Sequence, residues 1–514
     1  MLCTIYSAAL NGMTCAIITV EYDAHAGDGR NIRMVGLPDN AVRESYGRVN
    51  SALMNNRYHF APCNLIVNFA PADFRKEGTG FDLPLAIAKL ATEQLVDAAA
   101  LDKYVIVGEL GLDGTVRPIK GALPIAIKAR EMGFERLIVP LENAREAAVV
   151  NRLEVYAVSH FKEAADIING RSTIEPTMVD TRAEFYAQQT QFTHDFSEVR
   201  GQENVKRAFE VAAAGGHNLL LVGSPGCGKS MMSKRVPSIL PPLTLQESLE
   251  TTQLHSIAGK LQQDTSLIAQ RPFRSPHHTI SDVALIGGGT SLQPGEISLA
   301  HNGVLFMDEL PEFSRNALET LRQPLEDREI TISRAKYTAT LPCSFMLIAS
   351  MNPCPCGYYN HPNKPCTCTP QQRLRYIQKI SGPLLDRIDL QVEVTPVPFT
   401  SLAEADPGES SYVVRERVIA ARQRQYMRFK DDPTVHCNAQ MGSRHIQRYA
   451  QLDATGAAML QQVMQRLDLS ARAYERILKV ARTIADLAGE EHIMTIHLAE
   501  AIGYRNLDRN TWGL

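Results

Sequence analysis

The sequence predicts an α/β chain: a parallel-sheet core with crossover helices, preceded by an α+β block and followed by a helical one. Three observations carry this reading. An apolar strand runs into a glycine-rich turn and then a helix across residues 219–234. A second apolar run ends in two acids, Asp308 and Glu309. Between Phe196 and about Phe399, short β-rich runs alternate with helical stretches, the order of a sheet with crossovers.

Length and composition frame these elements. At 514 residues the chain is too long for one core and divides into about two to four domains. Apolar residues make up 44% and charged residues 21%, an ordinary soluble balance. The start, Met1-Leu-Cys-Thr-Ile-Tyr, lacks the basic and continuous apolar stretches of a secretory signal. No run approaches the ~18 apolar residues that span a membrane. The expected setting is therefore the cytoplasm, with no membrane partner. There, ten cysteines point to reduced thiols or metal ligands and not to a disulfide framework. A net charge of −3 means that any nucleic-acid contact must come from local basic surfaces.

Residues 1 to about 170 alternate β-rich runs, such as Asn64-Leu-Ile-Val-Asn-Phe and Tyr104-Val-Ile-Val, with helical stretches such as 123–130. Residues 171–194 are polar and aperiodic and read as a linker. The core spans 195–399. In the last block, 400–514, a charged helical stretch at 402–431 places Arg415, Glu416, Arg417, Arg422 and Arg424 on a solvated or interfacial surface. Apolar residues at helical spacing follow (Ile477, Val480, Ala481, Ile484), the mark of a small helical bundle.

The turn at 223–230 reads Gly223-Ser224-Pro225-Gly226-Cys227-Gly228-Lys229-Ser230, a phosphate-binding loop in the strand-to-helix setting that this motif requires. Its backbone N–H groups would face the phosphates of ATP. Lys229 would reach the β- and γ-phosphates, and the Ser230 hydroxyl would ligate magnesium. The run Gly303-Val-Leu-Phe-Met-Asp-Glu delivers two carboxylates to the strand's C-terminal end, where such sheets bind ligands. Asp308 would hold magnesium and Glu309 would polarise the attacking water.

Four cysteines form C-x-C-x9-C-x-C: Cys354, Cys356, Cys366 and Cys368. Two close thiolate pairs can close a tetrahedral zinc site around a short loop, here 354–368 with Gly357, Pro362 and Pro365 supplying turns. The alternative is four reduced loop thiols, and His361 is a possible substitute ligand. The remaining cysteines, Cys3, Cys15, Cys63, Cys227, Cys343 and Cys437, are scattered and read as packing residues. The stretch 329–341 alternates in period two around a basic tip and reads as a hairpin bearing Arg334 and Lys336. A solvated turn is the plainer reading of that tip.

Further segments resemble AAA+ ATPases. Asp195-Phe-Ser-Glu-Val-Arg-Gly-Gln is similar to the segment that wraps the adenine, and Phe345-Met-Leu-Ile-Ala-Ser-Met-Asn to the sensor 1 strand, ending at Asn352. Ser381-Gly-Pro-Leu-Leu-Asp-Arg-Ile-Asp-Leu resembles the arginine-finger segment of the magnesium-chelatase and MCM-helicase branch, placing the finger at Arg387. Ser470-Ala-Arg-Ala-Tyr-Glu-Arg-Ile-Leu resembles the lid helix of that branch, placing sensor 2 at Arg472. Both arginines could instead be ordinary surface or interface residues. A finger acts across a subunit boundary, so the resemblance implies a ring, and in this branch a hexamer. It also implies that the stretch between the two phosphate-site motifs, including Phe273-Arg-Ser-Pro-His-His-Thr-Ile-Ser and Leu285-Ile-Gly-Gly-Gly, and the hairpin face a central pore and touch the substrate.

The first block resembles the proteolytic domain of Lon through residues 75–88 and 107–123. The family's serine and lysine positions fall on Gly80 and Leu123, so a Ser–Lys mechanism cannot run. The block is read as an inactive binding or assembly domain. The order of Lon-like domain, magnesium-chelatase-like AAA+ core and helical lid domain resembles the bacterial ComM/YifB family across nearly the whole chain. That resemblance implies an ATPase and helicase acting on single-stranded or branched DNA, promoting branch migration during natural transformation or recombination. The competing readings are a metal-chelatase-type motor and a protein-remodelling one.

Overall fold

The computed structural model describes residues 2–29, 31–262, 265–289, 292–334, 337–396, 408–432, 434–466 and 469–505. Its central sheet has five parallel strands in the order Phe273–Arg274, Val304–Met307, Met346–Met351, Leu219–Gly223, Leu390–Val394. Covered on both faces, such strands are apolar without alternation: every residue of Leu219–Gly223, Val304–Met307 and Met346–Met351 is buried. The strand Met346–Met351 sits between the other two. This order brings the glycine loop, the two acids and Asn352 to one carboxyl edge.

The first block holds a seven-stranded mixed sheet in the order Ile32–Val35, Cys63–Ala70, Thr14–Ala26, Leu2–Asn11, Tyr104–Ile106, Arg136–Pro140, Glu154–Val158. The long hairpin Leu2–Asn11 with Thr14–Ala26 is antiparallel, and the last three strands run parallel. The block is bonded to the core. Gly121 donates its N–H to the Ser256 carbonyl at 3.0 Å, and the Ser256 hydroxyl reaches the buried Glu146 carboxylate at 2.6 Å. Burial raises the Glu146 pKa, a tendency that Ser256 and Asn143 oppose.

The segment 171–194, expected to be aperiodic, contains the helix Thr181–Gln188. Phe185 is buried with Leu243 and Ala269, and Glu184 ties Arg145 of the first block (2.7 Å) to Ser266 of the core (2.7 Å). The connection is thus a packed strut.

At the other end, the helices Ser411–Phe429, Ala454–Arg466, Ala471–Ala488 and Thr495–Gly503 share one apolar core with a face of the parallel sheet. Ile477, Val480, Ala481 and Ile484 face inward, as their spacing requires. The arginines of Ser411–Phe429 are interfacial. Arg415 is buried and donates to the Leu240 and Gln189 carbonyls at 3.1 and 3.2 Å, and Arg422 donates to Ala213 at 3.1 Å. Among the described residues, no helix is long and apolar enough to cross a membrane.

Candidate functional site

The loop after Leu219–Gly223 can form only with glycine at its bends. Gly226 and Gly228 adopt φ of +81° and +93°, and a Cβ on Gly223 would lie 2.3 Å from the Val394 carbonyl oxygen. Lys229 opens the helix Lys229–Ser233 and is buried. Its ammonium donates to the carbonyls of Gly223 (2.6 Å) and Ser224 (3.0 Å) and to Asn352 Oδ1 (3.3 Å). Asn352 therefore stands directly across the phosphate loop.

Next in the chain, the Ser230 hydroxyl donates to Asp308 Oδ2 at 2.6 Å, while Ser350 donates to the other carboxylate oxygen. A hydroxyl and a carboxylate in contact are hard oxygen donors that fit magnesium. Glu309 is held at φ +54°, a left-handed conformation that turns it away from the line of the strand. Its side chain is half exposed, with His278 Nδ1 3.4 Å away. The sheet edge thus presents backbone donors, a cation, a metal-fitting oxygen pair and an accessible carboxylate together, the set needed to hold a nucleoside triphosphate and activate water.

Arg387 is elsewhere. It is buried, ion-paired with Glu326, and donates to the Pro383 carbonyl at 2.6 Å. Its own carbonyl accepts from Asn218 at 3.0 Å and from Arg476 of the helix Ala471–Ala488 at 3.3 Å. Arg476 also pairs with the buried Asp389, whose other oxygen faces His217 at 3.3 Å. Burial opposes ionisation of Asp389, but Arg476 and His217 hold its carboxyl well below the usual carboxylate range. Arg472 is exposed at the start of the helix Ala471–Ala488, close enough for its charge to act on Arg387. The side-chain contacts of Arg387, to Glu326 and Pro383, do not include this chain's own phosphate loop.

Ser350, His278, Glu326 and Arg476 carry no role in the sequence pattern. Ser350 could be found from its place two residues before Asn352, and His278 from the paired histidines of the inserted stretch. For Glu326 there is no local signal.

The four cysteine sulfurs lie within 4.8 Å of one another. Cys354–Cys356, Cys354–Cys366 and Cys356–Cys366 separations are 3.3, 3.7 and 3.6 Å. Zinc with bonds of about 2.3 Å spaces tetrahedral sulfurs by about 3.8 Å, so the set fits that ion. Burial pushes the Cys354 thiol up to about 12. At Cys356, burial is opposed by the backbone N–H groups of Tyr358 and Thr367 and by Cys354 and Cys368, which together hold the thiol down to about 5. His361 is not part of the set: its Nδ1 accepts from the Asn363 N–H at 3.1 Å. Of the scattered cysteines, Cys3, Cys343 and Cys437 are buried.

The hairpin forms as Glu329–Arg334 with Tyr337–Pro342, antiparallel, with Arg334 opposite Tyr337. Lys336 and the Arg334 side chain lie outside the described residues. In the first block, a Cβ on Gly80 would meet only Ile119 Cγ2 at 3.8 Å, and Leu123 is buried. The Gly80 position opens on a cleft of about 480 Å³ that holds no serine–lysine pair among its lining residues.

Comparison with known proteins matches three stretches of the chain. Residues 195–402 match the family described as magnesium chelatase, subunit ChlI. Residues 20–143 match subunit ChlI of Mg-chelatase, and 408–505 its C-terminal region. The chain is 43% identical over 514 residues to the YifB protein of Salmonella typhimurium, covering 99% of this chain and 98% of that protein. It is 42% identical over 512 residues to the competence protein ComM of Haemophilus influenzae, with 99% and 98% covered. A shorter match, 26% over 233 residues, spans 45% of this chain and 30% of the "probable DNA helicase MCM9" of Arabidopsis thaliana.

Proposed function

From the premise that this chain belongs to the ComM/YifB family of magnesium-chelatase-like AAA+ proteins, we propose that it is an ATP-hydrolysing ring motor that displaces strands of branched DNA. The observation that carries the ATPase reading is the contact of Ser230 with Asp308 beside the Lys229–Asn352 pair. Magnesium held by Ser230 and Asp308 would neutralise phosphate charge. The backbone of Gly223, Ser224, Pro225, Gly226, Cys227 and Gly228 cradles the phosphates, and Lys229 exchanges its carbonyl partners for their oxygens. Asn352 and Glu309 orient the water, with Glu309 accepting its proton.

Arg387 acts on the neighbouring subunit's nucleotide as an arginine finger, with Arg472 as sensor 2, so the working form is a homo-oligomer, in this reading a hexamer in the cytoplasm. Support comes from the engagement of Arg387 by Glu326 and Pro383, away from its own phosphate loop. The first block, a Lon-like domain without its nucleophile, serves assembly or binding. The DNA substrate is supported by the full-length likeness to a competence protein and the partial one to a helicase. Branch migration during natural transformation or recombination is the corresponding task.

DNA contact is assigned to the hairpin tip, Arg334 and Lys336. With a net charge of −3, attraction to phosphates must be concentrated on a few such elements. Arg334→Ala with Lys336→Ala is expected to keep assembly and basal ATPase but lose stimulation by DNA. The salt slope of binding should fall by about one for each phosphate that is no longer neutralised. Steady-state hydrolysis with and without single-stranded, duplex and branched DNA is the check. Full stimulation of the double variant would remove the hairpin from the interface. No binding of DNA by the intact protein at low salt would favour a chelatase-type or protein-remodelling motor.

A further inference from the structure

The four-cysteine loop is wired into the phosphate site from three sides. Its first ligand, Cys354, follows Asn352 by two residues, and Asn352 holds Lys229 at 3.3 Å. Its last ligand, Cys368, precedes Thr369, which caps the helix Pro370–Ile377 through reciprocal bonds with Gln372. From that helix the buried Tyr376 reaches back to accept a backbone hydrogen bond from Asn352. Between the two ends, Gly357 takes φ +83°, and a Cβ there would lie 2.6 Å from Pro225 Cδ and 2.8 Å from its Cγ. Only glycine lets the loop press this closely on the phosphate loop.

We propose that a zinc ion bound by Cys354, Cys356, Cys366 and Cys368 sets nucleotide affinity, by clamping Gly357 onto Pro225 and fixing Asn352 against Lys229. Cys356 and Cys368 donate backbone N–H groups to the sulfurs of Cys368 and Cys366 at 3.4 Å each, an arrangement that orients thiolates around a metal. Without the ion, only weak N–H···S contacts tie the two cysteine pairs, and the Gly357 turn loses its purchase on Pro225. The five strands of the parallel sheet lie outside this loop and stay folded. The inference rests on the nucleotide reading of the phosphate loop, and its test separates the two.

Elemental analysis of the full chain, purified without chelator, should give about one zinc per chain. Affinity for a fluorescent ATP analogue with magnesium is then measured before and after stripping with a zinc chelator, and again after zinc is restored. Stripping should weaken binding by about tenfold or more, with recovery on zinc and not on further magnesium. Gly357→Ala should keep its zinc yet show weakened binding, because its Cβ would push against Pro225. Wild-type affinity in stripped protein, or in Gly357→Ala, overturns the coupling. Protein purified without metal overturns the zinc site. Zinc-loaded wild-type protein that binds no analogue overturns the nucleotide reading instead.

Discussion

Glu309→Gln should bind ATP as the unaltered protein does and hydrolyse it about 10²- to 10⁴-fold more slowly. The substitution keeps shape and removes only the group that can accept a proton from water. Lys229, Ser230 and Asp308 are untouched, and their mutual contacts do not pass through Glu309. Its left-handed backbone and half-exposed side chain leave it able to face the γ-phosphate, with His278 the neighbour it would give up. Titration with labelled ATP and a turnover assay on the same preparation check both halves. Turnover near that of the unaltered protein would return Glu309 to an ordinary surface acid. Lys229→Ala serves as the contrast, because it removes the cation from the loop and should weaken nucleotide binding itself.

Arg387→Ala should lose about 10³-fold or more in turnover while still binding ATP, the scale on which an arginine finger acts. Its contacts to Glu326 and Pro383 lie away from this chain's phosphate loop, so the loss should appear at a neighbour's site. Mixing Arg387→Ala with Lys229→Ala subunits recreates some interfaces in which a sound loop meets a sound finger. Partial recovery of hydrolysis in the mixture is therefore expected, although each variant alone is inactive. No recovery, with subunit exchange shown by a labelled chain, would place the action of Arg387 within its own subunit or remove it altogether.

The parts of the site that are legible in the sequence are those written locally. Parallel strands buried on both faces read as unbroken apolar runs, so Leu219–Gly223 and Val304–Met307 are visible with the residues that they deliver. The four cysteines are visible because their spacing is itself the signal. Other parts depend on tertiary packing. Phe273–Arg274 is a two-residue strand between prolines, too short to show a period. The helix Thr181–Gln188 buries only Phe185 and so has no apolar stripe. Arg415 reads as a surface charge, yet the carbonyls of Leu240 and Gln189, far off in sequence, satisfy it inside. Glu326 and Arg387 meet although they stand 61 positions apart, with no motif to announce the pair.

Strand release shows whether hydrolysis at this site drives work on DNA. A labelled strand annealed in a branched DNA is incubated with the purified protein, magnesium and ATP, beside Glu309→Gln as control. The unaltered protein is expected to release the strand only while ATP is hydrolysed, and Glu309→Gln to bind the DNA but release nothing above background. Equal release by the two proteins, or active hydrolysis by the unaltered protein with no strand released from any branched substrate, would contradict that expectation.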